Sequence, residues 1–227
     1  MLGGITPLST IDFPGRLAAV LYAQGCPLRC RYCHNGGLRD NHSSNAFRWD
    51  EAKTWLRRRQ GLLDGVVFSG GEPTAHPSLR CAIVEVRDLG FETALHTSGI
   101  YPDRLAAVLP SLDWIGLDIK APFDQYTQIT GLCGSGAKAR LSLEFVLSSG
   151  VSYELRTTVH PLILTQEHLI AIACELHSYG VQRWVLQEFR SQGCADMELA
   201  QSSTSLDQAL LVRLRELVPH ITIRAAT

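Results

Sequence analysis

The chain has 227 residues, 45% hydrophobic and 19% charged, a globular mix with no low-complexity bias. Twenty-one Lys and Arg against 22 Asp and Glu leave a net charge of -1, which excludes the basic excess of a dedicated nucleic-acid or anionic-membrane binder. Residues 1–10 lack the basic and apolar regions of a signal peptide, and no apolar run approaches the roughly 18 residues of a membrane span, so a cytoplasmic protein is expected.

Residues 1–15 read as a short N-terminal extension, followed by an apolar strand at Leu17–Leu21 and a cysteine-bearing loop over residues 25–37. A helical stretch then runs toward Gly61, with Arg57, Arg58 and Arg59 near its end, where cations favour the helix dipole. From there one pattern repeats: a helix, a glycine, a β-rich run. Gly65 introduces Val66–Phe68, Gly90 introduces Phe91–Leu95, Gly150 introduces Val151–Val159 and Gly180 introduces Val181–Gln187. Trp114–Leu117 and Ile221–Arg224 complete six or seven strands. Leu79, Ile83, Val86 and Leu89 share one helical face, as do Leu169, Ile172, Ala173 and Leu176. Pro77 and Pro102 are expected in first helical turns. Strict β/α alternation predicts an α/β fold with a parallel sheet and right-handed crossovers. Seven units or fewer fall short of an eight-fold barrel, so residues 1–227 are expected to form one domain, an incomplete parallel (β/α)6-type barrel.

Seven cysteines fit a closed disulfide framework poorly. Cys26, Cys30 and Cys33 fall within eight residues, as C-x3-C-x2-C, while Cys81, Cys133, Cys174 and Cys194 stand alone. Three thiolates on one loop can hold three corners of a cubane iron–sulfur cluster and leave the fourth iron open. The alternative is zinc with His34 as fourth ligand, but adjacent Cys33 and His34 reach one tetrahedral ion with difficulty. The scattered cysteines are expected to be inert, with Cys81 and Cys174 buried in helices.

Parallel α/β folds bind ligands at the C-terminal ends of their strands. The first predicted strand ends in the cysteine loop, the second in Ser69-Gly70-Gly71-Glu72-Pro73, and the third in Thr97-Ser98-Gly99. The fourth ends in Asp118-Ile119-Lys120, the fifth carries Arg156-Thr157-Thr158, and the sixth ends in Gln187-Glu188-Phe189. Singly, each has an ordinary explanation: a Gly-Gly-Glu-Pro turn, a solvated strand end, a structural ion pair. Their expected position at one rim, with the cysteines, favours a ligand site.

With Cys26, Cys30 and Cys33 followed by Gly70-Gly71-Glu72, the sequence resembles the radical S-adenosylmethionine (SAM) enzymes. More narrowly it resembles the activating proteins of glycyl radical enzymes, and among them the activators of anaerobic ribonucleoside-triphosphate reductase. The narrower likeness lies in Thr10–Gly15, Gln24–Asn35, Gly61–Gly65 running into Phe68–Pro73, Leu117–Pro122, Arg156–Pro161 and Val185–Arg190. The resemblance implies one 4Fe–4S cluster on Cys26, Cys30 and Cys33, whose open iron binds the amino and carboxylate groups of SAM. One electron then cleaves SAM, and the 5′-deoxyadenosyl radical takes hydrogen from a backbone glycine of the partner. It also implies cofactor contacts from Tyr32, His34, Gly70, Gly71, Glu72, Thr97, Asp118, Lys120, Arg156 and either Gln187 or Phe189. Tyr32 would lie against adenine, the glycines would let backbone approach the methionyl amino group, and Arg156 would pair with the carboxylate. The implied partners are a glycyl radical enzyme and an electron donor such as flavodoxin or ferredoxin.

His96 stands where many activators carry Asp beside a cation site, and imidazole is a poor ligand for a hard alkali cation. Asn35 is followed by Gly36-Gly37, and no cysteine-rich insert follows Cys33, as expected for a single cluster. The rivals are the same chemistry on another glycyl radical enzyme or a small molecule, and a non-catalytic metal-binding module.

Overall fold

A computed structural model describes residues 2–40, 48–201 and 206–225. Its strands are β1 (Leu2–Ser9), β2 (Ala18–Ala23), β3 (Gly65–Gly70), β4 (Glu92–Thr97), β5 (Trp114–Asp118), β6 (Ser152–Val159), β7 (Arg183–Glu188) and β8 (His220–Arg224). The helices are α1 (Trp49–Arg57), α2 (Leu79–Asp88), α3 (Pro102–Val108), α4 (Tyr126–Thr130), α5 (Ser135–Ser148), α6 (Gln166–Ser178), α7 (Met197–Ala200) and α8 (Gln208–Leu217). The strands form an eight-stranded sheet ordered β1 to β8, in chain order. This is the α/β architecture that alternation predicts, with β2 to β8 matching the seven expected strands.

The chain packs as two compact units, each drawn from separate stretches. The first comprises residues 1–27, 37–116 and 141–153. Here β2, β3 and β4 pair in parallel, with Ala18 opposite Gly65 and Gly65 opposite Glu92. Phe13, Ala18, Val20, Val67, Ala94 and Trp114 form its central cluster. Within α2, Leu79, Ile83 and Val86 are buried, as their shared face requires.

The second unit comprises residues 28–36, 117–140 and 154–227. Strands β6, β7 and β8 pair in parallel, with Arg156 opposite Val185 and Trp184 opposite Ile221. Trp184 is fully buried and donates its indole N–H to Thr157 Oγ1 at 2.9 Å, which satisfies its one polar atom. Helix α6 buries Leu169, Ile172, Ala173 and Leu176.

Several expectations change. The N-terminal extension contains a strand, because β1 pairs antiparallel with β2 through Ile5 opposite Leu21 and Thr6 opposite Val20. Gly65 is no helix cap: it starts β3, where a Cβ would press on Phe13 and the Glu92 carbonyl, and the positive-φ residue after α1 is Gly61. Pro102 opens α3, but Pro77 precedes the Ser78 cap of α2. Strand β7 starts two residues late, because Val181 N–H still bonds the Leu176 carbonyl of α6. Cys81 and Cys174 are exposed, not buried, since each lies opposite its helix's apolar face; Cys133 is exposed and Cys194 is half-buried. Helix α1 ends at Arg57, and the Arg59 guanidinium lies 3.5 Å from the centre of the Trp55 ring, which accounts for part of the basic triplet by packing. Among the described residues, no helix is long and apolar enough to cross a membrane.

Candidate functional site

In the first unit, the cysteine loop is closed at its base. Gly25 and Cys26 donate their N–H groups to the Leu38 and Arg39 carbonyls at 2.7 and 2.9 Å. The buried Gln24 side chain reinforces that closure by donating to the Gly37 and Asp40 carbonyls. The Gly70-Gly71 turn presses against the same base. A Cβ on Gly70 would overlap the Ala23 backbone, and one on Gly71 would overlap the Gly25 carbonyl. Gly71 N–H bonds Ala23 O at 2.8 Å and Glu72 N–H bonds Gly25 O at 2.9 Å. Both glycines are thus dictated by backbone packing, whatever else they meet.

Glu72 is 1% exposed and its carboxylate collects five donors. Oε1 accepts from Thr74 N–H at 3.1 Å, Thr74 Oγ1 at 2.5 Å and Thr97 Oγ1 at 2.6 Å. Oε2 accepts from Ser98 N–H at 2.9 Å and from the Ser98 hydroxyl. This carboxylate ties the turn after β3 to the end of β4, which is how burial of a charge is made tolerable. Thr97 Oγ1 also accepts from Gly99 N–H at 3.1 Å. His96 directs Nε2 at the Asp12 carbonyl at 2.8 Å, lies 3.4 Å from Ser69 Oγ through Nδ1, and sets its ring against Trp114. A packed, doubly hydrogen-bonded imidazole is the physical alternative to a cation ligand at this position.

The second unit gathers the charged residues. Asp118, at the end of β5, accepts from Lys120 Nζ at 3.0 Å and from Arg156 Nη2 at 3.1 Å. Lys120 lies 5.8 Å from the centre of the Tyr32 ring, and Tyr32 is buried. Burial opposes the Lys120 charge, but Asp118 with Tyr32 and Cys30 raises its pKa well above the ordinary value. Burial pushes the Cys30 thiol up, and Lys120 pulls against that shift. Burial, then Arg190, lowers the His34 pKa, which favours a neutral ring. Beyond these, Gln187 lies opposite Thr158 across the β6–β7 pairing, half-buried, while Phe189 is buried and donates its N–H to Val159 O. Phe189 follows directly after β7, two residues beyond Gln187.

Sequence reasoning overlooked two residues. Tyr126, fully buried on α4, accepts from Lys120 N–H at 2.8 Å and donates to the Asp118 carbonyl at 3.2 Å, fixing both charged residues' backbone. No local motif announces it. His160, 1% exposed, follows directly after β6 and packs edge-on against Phe189.

Residues 20–176 match the model of the radical SAM superfamily. The chain belongs to that superfamily. It is 25% identical over 226 aligned residues to a protein of Methanocaldococcus jannaschii named as a glycyl-radical enzyme activating enzyme, covering 87% of this chain and 83% of that protein. It is 33% identical to the pyruvate formate-lyase-activating enzyme of Clostridium pasteurianum over 56% of each chain. The chain therefore spans little more than half the length of that relative. Among solved structures, Streptococcus suis SuiB bound to S-adenosylmethionine matches with a TM-score of 0.66 at 16% identity, over 92% of this chain and 50% of that one, a likeness of fold.

Radical SAM enzymes use a 4Fe–4S cluster and SAM. The thiols here suit the cluster by their chemistry: a C-x3-C-x2-C set on one loop, with Cys33 N–H turned back onto the Cys30 carbonyl at 3.2 Å and Lys120 favouring the Cys30 thiolate. Among the described residues no three His, Cys, Asp or Glu side chains converge as ligands of a single ion would. A cubane asks something else of its ligands, since each thiolate binds a different iron.

Proposed function

We propose that this protein is the activating enzyme of a glycyl radical enzyme, and that its partner is anaerobic ribonucleoside-triphosphate reductase. The observation that carries the cofactor chemistry is the Lys120–Asp118–Arg156 assembly beside Tyr32 and the buried Cys30 thiol. Two cations bridged by one carboxylate offer donors to a carboxylate ligand without leaving either charge alone in a buried setting. The similarity to an activating enzyme over most of both chains supports the glycyl radical partner.

When bound, the cluster would supply the single electron that cleaves SAM. The chain's own residues bind and orient. Cys26, Cys30 and Cys33 would hold three of its irons. Lys120 and Arg156 would receive the methionyl carboxylate, with Asp118 setting their spacing and Tyr126 fixing the backbone of Asp118 and Lys120. The Gly70-Gly71 turn, held by Glu72 and Thr97, would approach the amino group. Tyr32, His34, Gln187 and Phe189 would enclose the adenosyl portion. Flavodoxin or ferredoxin is the class of donor that delivers a single low-potential electron.

A second partner has its own support: the 33% identity to a pyruvate formate-lyase activator favours a lyase of that type. Anaerobic reconstitution, reduction and an assay for 5′-deoxyadenosine test the cofactor chemistry, with Cys26→Ala as the control that abolishes it. Incubation with each candidate partner then tests the target, read as a glycyl radical signal by electron paramagnetic resonance. A signal on the lyase alone would overturn the reductase assignment.

A further inference from the structure

In the second unit, Lys120 leaves β5 on a segment that turns into α4, and the anchors of that segment are mostly local. Ile119 donates its N–H to the Arg156 carbonyl at 2.7 Å, and its own carbonyl accepts from the Thr157 hydroxyl at 2.6 Å. The Tyr126 hydroxyl bonds the Lys120 N–H and the Asp118 carbonyl, and Gln125 N–H closes a turn onto the Pro122 carbonyl at 2.9 Å. Phe123 is the exception. Its N–H is shared between the two carboxylate oxygens of Glu175, at 3.1 and 3.2 Å, and Glu175 belongs to α6.

Phe123 is also the residue on which Tyr126 rests. The two rings stack with centroids 5.8 Å apart and 24° between their planes, and the Arg140 guanidinium lies 5.2 Å from the centre of the Phe123 ring. The Phe123 carbonyl packs so closely on Gly136 that a Cβ there would overlap it. One side chain of α6 therefore holds the backbone of the residue that supports the Tyr126 ring, and the Tyr126 hydroxyl holds Lys120.

Glu175 is half-buried, with Arg140 and Asp124 as charged neighbours, and burial raises its pKa against the pull of the Phe123 N–H and Arg140. Its surroundings oppose the charge, yet the charge makes the bond to Phe123 stronger than a neutral acceptor would. The position gives up stability for a firmer hold on one loop residue, which is the mark of a placement requirement.

We propose that Glu175 is a positioning residue for cofactor binding: through Phe123 and Tyr126 it sets where Lys120 places its ammonium, and so how tightly the methionyl carboxylate of SAM is held. The inference rests on the SAM-dependent function proposed above and extends it to α6.

The test measures binding of SAM and of 5′-deoxyadenosine by equilibrium dialysis to anaerobically reconstituted protein, with iron content and thermal midpoint alongside. It compares wild type, Glu175→Ala, Glu175→Gln, Lys120→Ala and the double alanine variant. Alanine suits a helix interior, so α6 is retained. Glu175→Ala should weaken SAM by roughly 3- to 20-fold, the range of a coupling carried through packed neighbours. It should leave 5′-deoxyadenosine, which lacks the methionyl part, bound as by wild type. Glu175→Gln keeps an acceptor and should recover part of the loss, with a midpoint at pH 7 equal to or above wild type because the opposed charge is gone. In the Lys120→Ala background, Glu175→Ala should cost no further affinity. Unchanged SAM affinity in Glu175→Ala, or an equal loss for both ligands, would overturn the proposal. So would a full further loss in the Lys120→Ala background, or a glutamine variant as weak as the alanine one. Wild type that binds neither ligand would overturn the SAM-dependent function, and this inference with it.

Discussion

Replacing Glu72 by glutamine separates a carboxylate that organises the protein from one that binds cofactor. Glutamine keeps one oxygen, which retains the three donors on the Oε1 side, two from Thr74 and one from Thr97. Its amide NH2 then faces Ser98, whose hydroxyl can rotate to accept but whose backbone N–H, 2.9 Å from Oε2, cannot. One buried N–H left unpaired costs about 1–3 kcal/mol. The surviving bonds also lose their charge assistance, roughly half the strength of each, so the total is about 3–5 kcal/mol. For a chain of this size each kcal/mol moves the thermal midpoint by roughly 2–4 °C, giving a fall of roughly 6–20 °C. The assay is thermal unfolding by circular dichroism on protein prepared without SAM. A midpoint within a degree or two of wild type, together with lost SAM binding, would refute the clamp and return the carboxylate to the cofactor.

Other perturbations test other parts. Gly193→Ala should lower the midpoint and accelerate iron release to a chelator, since φ there is +80° and a Cβ would overlap the His34 carbonyl in the cysteine loop; iron retention equal to wild type would refute that packing role. Arg31→Ala removes ion pairs to Asp196 and Glu198, both 2.7 Å long but at the surface, so the thermal midpoint should stay close to wild type and the small difference should vanish in high salt. Lys120→Ala should weaken SAM binding while iron content per chain holds, measured by dialysis and a colorimetric iron assay. Half-buried His76, which directs Nε2 at the Gln24 carbonyl at 2.7 Å, has a pKa lowered from 6.5 chiefly by burial. The unfolded chain therefore binds more protons just below pH 6.5, so stability should rise with pH up to about 6.5 through this group and level off above. In His76→Gln, urea unfolding across that interval should show a shallower slope.

What was legible in the sequence follows from which interactions are local. Strands β2 to β8 announce themselves because short β-branched runs between helical stretches carry their own periodicity. Strand β1 does not: Leu2–Ser9 mixes glycine and small polar residues, and pairing with β2 is a long-range event that local pattern cannot show. The cysteine loop was plain because its spacing is chemical. Cys81 and Cys174 show the limit of composition, since cysteine's usual burial yields to its place on an amphipathic helix. Tyr126 is the clearest omission. Its hydroxyl serves the backbone of Asp118 and Lys120 from a short helix after β5, and only the folded chain brings that helix to that strand.

The polar groups near the strand ends divide by what already satisfies them. In the first unit, the N–H groups of Gly71 and Glu72, the Glu72 carboxylate and the Thr97 hydroxyl are bonded to protein at normal distances. Their arrangement is a scaffold, and substitutions there should act first on stability. In the second unit and among the described residues, Lys120 Nζ bonds Asp118 alone with three donor hydrogens, and Arg156 directs two nitrogens of its five-donor guanidinium at a single carboxylate oxygen. A motif match weights Gly-Gly-Glu and Asp-x-Lys alike. Donor accounting does not: hydrogen-bonding capacity remains at the strand ends of β5 and β6, whereas the groups at those of β3 and β4 are spent on holding their own loops. Substitutions in the two groups should therefore fail differently, the first in affinity and the second in thermal midpoint.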